Sequence, residues 1–587
     1  MPSNKKLLQA AAGSAGGDNL YVEDVFSTYL VTGTNAAVTV NNGLDLDGKG
    51  GMVWVKKRSA AGSHNLYDTE RGANNRISSN NTNAQDTKPL DFTSTGFSDF
   101  YWDSGVDYTS WTFRKAEKFF DVQTYTGNST AGRTVAHNLG VAPSMIIIKQ
   151  TTGTRRWYVW HESFALDGYL FLNQTSAKNV YGAFAYLTAA PTSTTITLAS
   201  DATVNEASNT FVAYLFASDA GGFGDDGDEN IIKCGSVTTD GSGDATVALG
   251  FEPQWVMLKR TDGAGTWAIL DTMRGYDHSS SKRLMPNVAD AEENYTGTNI
   301  LGVPTATGFT TSGPVLDANS DYIYIAIRRP MKTPEAGTEV FSVSPSMSGA
   351  VQPGFDAPHV VDMAFHRRPA FTQTTHIASR LTGTNNLYTD TTAAEVSQVE
   401  NVWDFMDGWG GWTVTNTDYR AWNFKRATGF MDVVAYTGDG TTPRNITHNL
   451  GVVPEFIVTK RRDVGGSWAV YNPDLGITSS SGIRLNTDDG SGYNQLSRYP
   501  STPTSTVFTV GNDSDVNSSS NTFVSYLFAT LAGVSKVGSY TGTGATLNID
   551  CGFSAGARFI LIKRYGSAGD WYYWDYERGI VAGNDPY

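Results

Sequence analysis

Cysteine, positive charge and long apolar runs are all scarce in this chain of 587 residues, and each shortage excludes a class of protein. Two cysteines, Cys234 and Cys551, cannot form the dense disulfide network of a small secreted scaffold. The net charge of −15 disfavours nucleic acid and anionic membranes as partners, because both bind clustered Lys and Arg. No apolar run approaches the roughly 20 residues of a membrane-spanning helix. We therefore predict no nucleic-acid partner and no membrane insertion.

Familiar catalytic motifs are also absent. The sequence has no Gly-x-Ser-x-Gly elbow, no phosphate loop ending in Gly-Lys-Ser/Thr, no Cys-x-x-Cys pair and no His-Glu-x-x-His. We predict a protein that is not an enzyme and that holds no cofactor and no metal. Glycoside hydrolysis by paired carboxylates stays open as an alternative, because the separation that matters is spatial.

A long internal repeat is the strongest positive signal. Residues 121–160 return at 432–471 without a gap, and 17 of the 40 positions are identical. A repeat of this length indicates duplicated structural units.

Shorter landmarks recur between the long copies. Apolar runs of strand length end at a basic residue, and an aromatic residue follows eight positions later, which predicts a β-hairpin. The lysines are Lys56, Lys149, Lys259, Lys460 and Lys563, and the aromatic residues are His64, Trp157, Trp267, Trp468 and Trp571. Three units continue with Asp-x-x-Arg-Gly, at 68–72, 271–275 and 575–579, where Asp and Arg can pair across a turn.

A third landmark ends each complete unit. Segments such as 209–216 and 521–528 alternate polar and apolar residues, which predicts half-buried strands. The fold class is therefore all-β: a tandem array of about six β-sandwich, jelly-roll-like units in a duplicated triplet, with a short N-terminal helical arm. Propeller blades are a weaker alternative, because each would need about half this length. The predicted boundaries are 1–26 for the arm and 27–118, 119–220, 221–335, 336–429, 430–531 and 532–587 for the units.

The sequence predicts a short helix near the N-terminus and an incomplete β unit at the C-terminus. Residues 4–12 predict one short helix, too short to be stable alone, so the arm is expected to attach to a partner through Lys5, Lys6, Leu7 and Leu8. A frayed terminus is the equal alternative. The sixth unit has its hairpin but no closing strand, so either the chain is part of a longer protein, which we favour, or another copy supplies the edge.

Repeated polar residues favour structural roles. His137 and His448 recur in His-Asn-Leu-Gly and are predicted to be turn residues satisfied by backbone atoms. The acidic segments 44–51 and 224–230 do not match a calcium loop, and the turn residues Asp201 and Asp513 are predicted to stabilise turns.

Aromatic residues, at 12% of the chain, suggest glycan contact through stacking on sugar rings. Repetition at a fixed place favours a structural role, in which each repeated tryptophan packs on its own sheet and stacks with a nearby Lys or Arg. The loops 151–156, 461–466 and 409–412 are equally good candidates, because binding residues often differ between copies. The candidate contacts are Trp157, Trp267, Trp468, Trp571, Trp409 and Trp412.

Several segments together resemble marine bacteriophage virion proteins of the tail-fibre type, whose repeated domains are similar to lectin- or laminin-G-like β-sandwiches. The segments are KKLLQAAAG near the start, KKRSAAGSHNLYDTERG (56–72), WTFRKAEKFFDVQTYTG (111–127), HNLGVAP (137–143) and NTFVAYLFA (209–217). The resemblance covers nearly the whole chain after Asp24. The third and fourth units differ most from the pattern of these proteins. In the fourth unit, HRRPAF (366–371) is not followed by a Trp eight residues after its basic pair.

The resemblance implies a tail protein of the virion, assembled in the host cytoplasm as a homotrimer. The arm would bind phage tail proteins, and the β units would bind a host-surface glycan or protein. Two alternatives stay open: a structural tail, collar or head-fibre protein without receptor contact, and a glycan-degrading tailspike.

Overall fold

The computed structural model describes residues 19–180, 186–313, 315–349, 352–412 and 415–579. The fold is all-β with repeated sandwich-like units, which confirms the predicted class. The chain divides into two compact bodies, the first comprising residues up to 276 and 280–332, the second 277–279 and residues from 333 onward. In the described ranges no helix is long and apolar enough to cross a bilayer. The predicted helix at 4–12, with Lys5, Lys6, Leu7 and Leu8, lies outside the described residues. At the end of the predicted arm 1–26, Val22, Val25 and Phe26 are buried in the core of the first body.

The first body contains three units. The first has β1 Phe26–Thr32, β2 Ala36–Ala37, β3 Val40–Asn41, β4 Gly51–Lys57, β5 Asn65–Asp68, β6 Asn75–Ser78, β7 Asp86–Thr87, β8 Asp91–Thr93, β9 Gly96–Ser98, β10 Tyr101–Trp102 and β11 Asp107–Arg114. The second has β12 Phe120–Thr126, β13 Arg133–Ala136, β14 Met145–Gln150, β15 Tyr158–His161, β16 Gly168–Phe171, β17 Asn179–Val180, β18 Leu187–Ala189, β19 Thr195–Leu198 and β20 Thr210–Phe216. The third has β21 Ile232–Thr238, β22 Ala245–Ala248, β23 Pro253–Arg260, β24 Ala268–Asp271, β25 Ser280–Arg283, β26 Glu293–Thr296, β27 Pro304–Thr305, β28 Gly308–Thr311 and β29 Asp321–Arg328.

In its described residues the second body repeats this plan, with fewer strands in the last unit. The fourth unit has β30 Phe341–Ser344, β31 Phe355–Asp356, β32 Met363–Arg367, β33 His376–Ser379, β34 Asn385–Tyr388, β35 Val396–Ser397, β36 Gly408–Trp409 and β37 Arg420–Phe424. The fifth has β38 Met431–Thr437, β39 Arg444–Thr447, β40 Phe456–Arg461, β41 Ala469–Tyr471, β42 Ile483–Arg484, β43 Val507–Val510 and β44 Thr522–Phe528. In the described part of the sixth unit the strands are β45 Phe559–Lys563 and β46 Trp571–Asp575.

Helices in the described residues are single turns in the loops between strands. The α-helical turns are Leu46–Lys49, Ala202–Asn205, Gln495–Arg498 and Ser514–Asn517. The 3₁₀ turns are Val22–Asp24, Gly297–Asn299, Gly337–Glu339, Arg380–Thr382 and Pro473–Leu475.

The five complete units share one strand order in their main sheets. An opening strand, the closing strand, an inner strand and a hairpin strand lie side by side, all antiparallel. These four strands are β1-β11-β4-β5, β12-β20-β14-β15, β21-β29-β23-β24, β30-β37-β32-β33 and β38-β44-β40-β41. The closing strand therefore joins the two halves of each sheet, because the opening strand pairs with no other strand among the described residues.

The main sheets are buried on both faces. In β4, Val53 and Val55 pack in the sandwich core of their own unit, whereas Met52 and Trp54 pack in a larger core shared by the three units of the first body. This double burial explains why the inner strands are continuous apolar runs. The closing strands were predicted to be half-buried, and this prediction is wrong, because residues 211–216 of β20 are all buried.

Candidate functional site

None of the 14 tryptophans is exposed. Trp157, Trp267, Trp468 and Trp409 are at most 1% exposed, and a ring without an exposed face cannot stack on a sugar. These four candidates for glycan contact are therefore corrected to core residues. Trp571 and Trp412 are half-buried, and the Trp412 ring lies against Trp409 at a centroid distance of 5.3 Å.

The repeated tryptophans join neighbouring units. Each indole N–H donates a hydrogen bond to a backbone carbonyl of the preceding unit. In that preceding unit the acceptor is the last residue of the strand that follows the hairpin strand. The pairs are Trp157 to Ser78 at 3.1 Å, Trp267 to Phe171 at 3.1 Å, Trp468 to Tyr388 at 2.9 Å and Trp571 to Arg484 at 3.0 Å. The alternative that each ring packs on its own sheet missed this contact with the neighbouring unit.

The repeated lysines reach across the same interfaces. In four units one carbonyl of a neighbouring unit accepts hydrogen bonds both from the lysine Nζ and from the backbone N–H six residues later. For Lys259 and Gly265 this acceptor is Thr175 O, at 3.3 and 2.8 Å. The other acceptors are Ala289 O for Lys56, Thr392 O for Lys460 and Asp488 O for Lys563.

Burial changes the proton affinity of these lysines. Loss of hydration disfavours the charged amine, which lowers the pKa of Lys149 to about 7 and the pKa values of Lys56, Lys259 and Lys460 to about 8. The hydrogen-bond acceptors around each of these amines are backbone carbonyls and not carboxylates. Lys149 Nζ, for example, donates to Gln150 O at 2.6 Å and to Thr82 O at 3.2 Å.

The Asp-x-x-Arg-Gly motif forms the predicted turn. Arg274 Nε donates to Asp271 Oδ2 at 2.6 Å, and Gly275 has φ +106°, a conformation that favours glycine. Both charged side chains are fully buried. The same pairing joins Arg71 to Asp68 and Arg578 to Asp575.

The aspartates of this motif also receive a bond from the closing strand of another unit. Asp68 accepts from the hydroxyl of Tyr214 at 2.7 Å, and Asp271 accepts from the indole of Trp111 at 3.0 Å. In the second body Asp575 accepts from the indole of Trp422 at 2.9 Å. Each buried carboxylate therefore bonds an arginine of its own unit and an aromatic donor of a neighbour.

The second unit uses a different pair at this position. The closing strand of the third unit has Ile325 at the register of Tyr214, and isoleucine has no donor. The second unit correspondingly carries His161 in place of aspartate, and its Nε2 donates to the carbonyl of Tyr324 at 3.2 Å. Burial lowers the pKa of His161 to about 4, which keeps the ring neutral.

These contacts make the three units of the first body cyclic. The first unit contacts the second through Asp68 and Tyr214, the second contacts the third through His161, and the third contacts the first through Asp271 and Trp111. The units are consecutive in sequence but closed on one another in space. Sequence reasoning missed this arrangement, because the paired residues, such as Asp68 and Tyr214, lie far apart in the sequence.

The turn predictions are confirmed. His137 and His448 are buried, and each Nδ1 accepts the backbone N–H two residues on, at 3.3 and 3.2 Å. Asp201 and Asp513 cap helical turns by accepting from the backbone N–H two residues later. No group of three or more His, Cys, Asp or Glu side chains that could hold a metal occurs in the described ranges.

The acidic segments also make local contacts. In the first segment Asp45 caps the helical turn Leu46–Lys49 by accepting from Gly48 N at 2.7 Å. In the second, Asp225 accepts from the hydroxyl of Tyr21 at 2.5 Å.

The loops predicted to differ between copies do not share one environment. The tips of 151–156 and 461–466 are exposed at Thr152, Thr154, Asp463 and Val464, whereas 409–412 begins with two buried residues. Outside the sixth unit, the aromatic rings that are clearly exposed in the described residues are Tyr101 at 54% and Phe371 at 44%. Sequence reasoning selected neither ring, because neither belongs to a repeated landmark.

The sixth unit borders a large cavity in the second body. A cavity of about 2170 Å³ lies between β45 and the fourth and fifth units, and its walls include Phe365, Asn472 and Phe528. The apolar side chains of β45 are partly exposed there, and Leu561 is 37% exposed. The equivalent Ile147 in β14 is 3% exposed.

A protein-family model described as a domain of unknown function, DUF7483, matches residues 22–329 and 372–585. The two matched segments fall one in each body, in agreement with the duplicated triplet. No curated protein matches the chain.

Proposed function

The chain belongs to the DUF7483 family, and we propose that it is a structural protein of a bacteriophage virion, of the tail-fibre type, that contacts the host surface. In this proposal residues 1–26 attach the chain to phage tail proteins, copies assemble as a homotrimer, and the β units bind a host-surface glycan or protein. The proposal rests on the resemblance of the sequence to such virion proteins and on the architecture.

One observation supports it above the others: the repeated side chains are internal and the loop tips differ. Trp157 and Lys149 hold neighbouring units together, so their repetition reflects assembly of the scaffold. The exposed tips have unrelated residues at equivalent positions of the second and fifth units, such as Thr152 and Asp463. A rigid β scaffold that carries variable loops is the usual organisation of recognition proteins.

Tyr101 and Phe371 are the proposed aromatic contacts. Both rings are exposed, and the guanidinium of Arg368 lies 3.9 Å from the centroid of Phe371. A flat ring beside a donor group suits a sugar, which offers an apolar face and hydroxyl groups. Weak contacts of this kind sum when several copies bind together.

Electron microscopy and cell binding test the proposal. Gold-labelled antibody against the chain is expected to mark tail appendages on particles of the phage that encodes it. The labelled protein is expected to bind cells of the host, and Tyr101→Ala with Phe371→Ala is expected to weaken binding about fivefold or more, as loss of two stacking contacts would. Val399→Ala, at a side chain that is 74% exposed, is the matched control.

Two kinds of outcome would overturn the proposal, and a third would remove its proposed contact residues. Antibody that marks only the head or collar, or a chain enclosed by other tail proteins, favours a structural role without receptor contact. Shortened host polysaccharide after incubation with the protein favours a glycan-degrading tailspike. Binding that is unchanged in the double variant removes Tyr101 and Phe371 as contacts.

A further inference from the structure

We propose that the histidine pair His366–His376 makes the fourth unit an acid-sensitive switch. Protonation of the pair releases the small sheet β31-β36 from the main sheet, whereas the sandwich of the fifth unit stays closed. The inference goes beyond the proposed function, since it concerns a conformational change and not a host receptor. It depends on a difference between the fourth unit and the units that share its plan.

The two histidines lie side by side on one face of the main sheet. His366 in β32 pairs with His376 in β33, and their ring centroids are 4.6 Å apart. The pairs at the same register of the other units are Val55–Asn65, Ile148–Tyr158, Leu258–Ala268, Thr459–Ala469 and Ile562–Tyr572. The fourth unit therefore has two imidazoles where these units have none.

His366 is enclosed by aromatic rings in the core of the fourth sandwich. It is 4% exposed, and neither of its ring nitrogens has a hydrogen-bond partner among the described residues. The rings around it, by centroid distance, are Trp409 at 5.4 Å, Trp412 at 5.6 Å, Phe355 at 6.0 Å and Tyr419 at 6.2 Å. Protonation would bury a second unpaired N–H together with a full charge, which is costly in an apolar site.

A chain of amides holds His376 in its neutral form. Asn401 Nδ2 donates to Asn386 Oδ1 at 2.8 Å and to Thr384 O at 3.4 Å, which fixes the orientation of both amides. Asn386 Nδ2 therefore points at His376 Nδ1, 3.3 Å away, and this nitrogen must accept. A charged imidazole has N–H at both positions, so protonation at Nδ1 sets two donors against each other.

The charged groups on the surrounding elements do not offset this burial. Asp390 attracts a proton to His376, yet burial is the larger effect and lowers the pKa of that ring. Burial, with a smaller contribution from His376, lowers the pKa of His366 well below its ordinary value. The other charged side chains of these elements are exposed or bonded elsewhere: Asp356, Asp407, Arg367, Arg420, and the ion pairs Arg368–Asp418 and Arg380–Asp362.

The small sheet is the part that opens. Its strands β31 and β36 pair through two residues each, Phe355 with Trp409 and Asp356 with Gly408. Phe355 and Trp409 are also the rings that cover His366. Opening this short ladder lets water reach both imidazoles, which then bind protons near their ordinary pKa of about 6.5. The open form therefore binds more protons than the closed form, and it gains population as the pH falls below about 6.5.

Hydrogen exchange of the full chain tests the switch. Protection factors, corrected for the intrinsic effect of pH, are measured at pH 7, 6 and 5 in the presence of EDTA. Protection in 355–367 and 403–409 is expected to fall at least about tenfold from pH 7 to 5, because a difference of one bound proton changes the opening equilibrium up to tenfold per pH unit. Protection in the counterpart strands β40 and β41 of the fifth unit is expected to change much less.

Variants attribute the loss to the pair. His366→Leu with His376→Ala installs the pair Leu258–Ala268 of the third unit and is expected to remove most of the acid-dependent loss. His366→Gln, which does not titrate and is close in size, is expected to act in the same direction if the double variant fails to fold. His448→Asn, at a buried histidine of the fifth unit, is the matched control and should leave the loss in the fourth unit unchanged.

Two results would overturn the inference. One is an equal loss of protection in the fourth and fifth units of the unchanged protein, which would show general acid unfolding of the second body. The other is a loss in 355–367 and 403–409 that persists in His366→Gln, which would exclude His366 as its source.

Discussion

Within the described residues, the first body closes its cycle of three units with three main sheets, whereas the second does so with two main sheets and a hairpin. The hairpin of the sixth unit still makes the interface contacts: Trp571 bonds Arg484 O, Lys563 bonds Asp488 O, and Asp575 accepts from Trp422. Its β45 nevertheless stays partly exposed, unlike β14 in the first body.

This difference between the two bodies distinguishes docking between units from formation of the sandwich within a unit. The basic residue, the aromatic residue and the aspartate dock a hairpin on its neighbours. They do not build the sandwich, because the opening strand and the inner strand meet only through the closing strand. Docking and sheet formation are therefore independent in this chain, and four expected results follow from comparing matched residues of the two bodies.

Removing the docking tryptophan has the largest expected effect. Trp157→Ala should destabilise the first body by about 3–5 kcal/mol, because the ring is fully buried and its carbonyl partners lose their donor. Trp571→Ala should cost roughly 1–2 kcal/mol, because that ring is half-buried. Native-state hydrogen exchange of the amides in β15 and β46 measures both. Equal losses would show that the sixth unit docks as firmly as the complete ones.

Neutralising the docking aspartate comes next. Asp271→Asn should cost about 3 kcal/mol, because it leaves the guanidinium of Arg274 buried with less compensating charge. Asp575→Asn should cost about 1 kcal/mol, since Arg578 is 17% exposed and water can compensate it. Chemical unfolding followed by hydrogen exchange at each site measures the two losses. A larger loss at Asp575 would contradict the comparison.

Acid should weaken the first body through His161. The ring takes up a proton near pH 6.5 when unfolded but only near pH 4 when folded, so the unfolded state binds more protons between these values. Stability therefore falls as pH drops from 6.5 to 4, by roughly 2–3 kcal/mol from this group. His161→Asn installs the residue that the fifth unit has at Asn472. Exchange rates in β15 of this variant should lose that pH dependence, and an unchanged dependence would exclude His161 as its source.

Alkaline conditions should strengthen the interface at Lys149. Its pKa is about 7 when folded and near 10.5 when unfolded, so the unfolded state binds more protons in between. Stability should rise by about 1 kcal/mol per pH unit from pH 7 to 9.5 through this group. Lys149→Met should remove that slope. Lys563→Met should change it less, because Lys563 is half-exposed. Unfolding series at pH 7, 8 and 9 compare the variants, and equal slopes would contradict the burial argument.

Local features were predictable from sequence. The hairpins after the lysines, the Asp271–Arg274 turn and the caps at Asp201 and Asp513 were all predicted and are confirmed, because each depends on residues within a few positions. The interface partners were not predictable. Ser78 and Phe171 bond the tryptophans through backbone carbonyls, which leave no trace in the side-chain pattern.

The repeated tryptophans show most clearly what could not be predicted from sequence alone. Their spacing indicated a structural unit, but sequence alone could not distinguish a ring exposed for ligand contact from a ring inserted into the next unit. The closing strands show it too. Their alternation of polar and apolar residues predicted one solvent-exposed face. Instead β20 is buried on both faces, because neighbouring units cover the side away from its own sandwich core.

The sequence by itself determined the repeat, the strand-rich units and the turn chemistry, since these depend on interactions between residues that are near in the chain. Only the tertiary structure decided that three consecutive units close into a cycle. The reason is physical: the bonds from Trp111 to Asp271 and from Lys56 to Ala289 join residues more than 150 positions apart, and only packing brings them together.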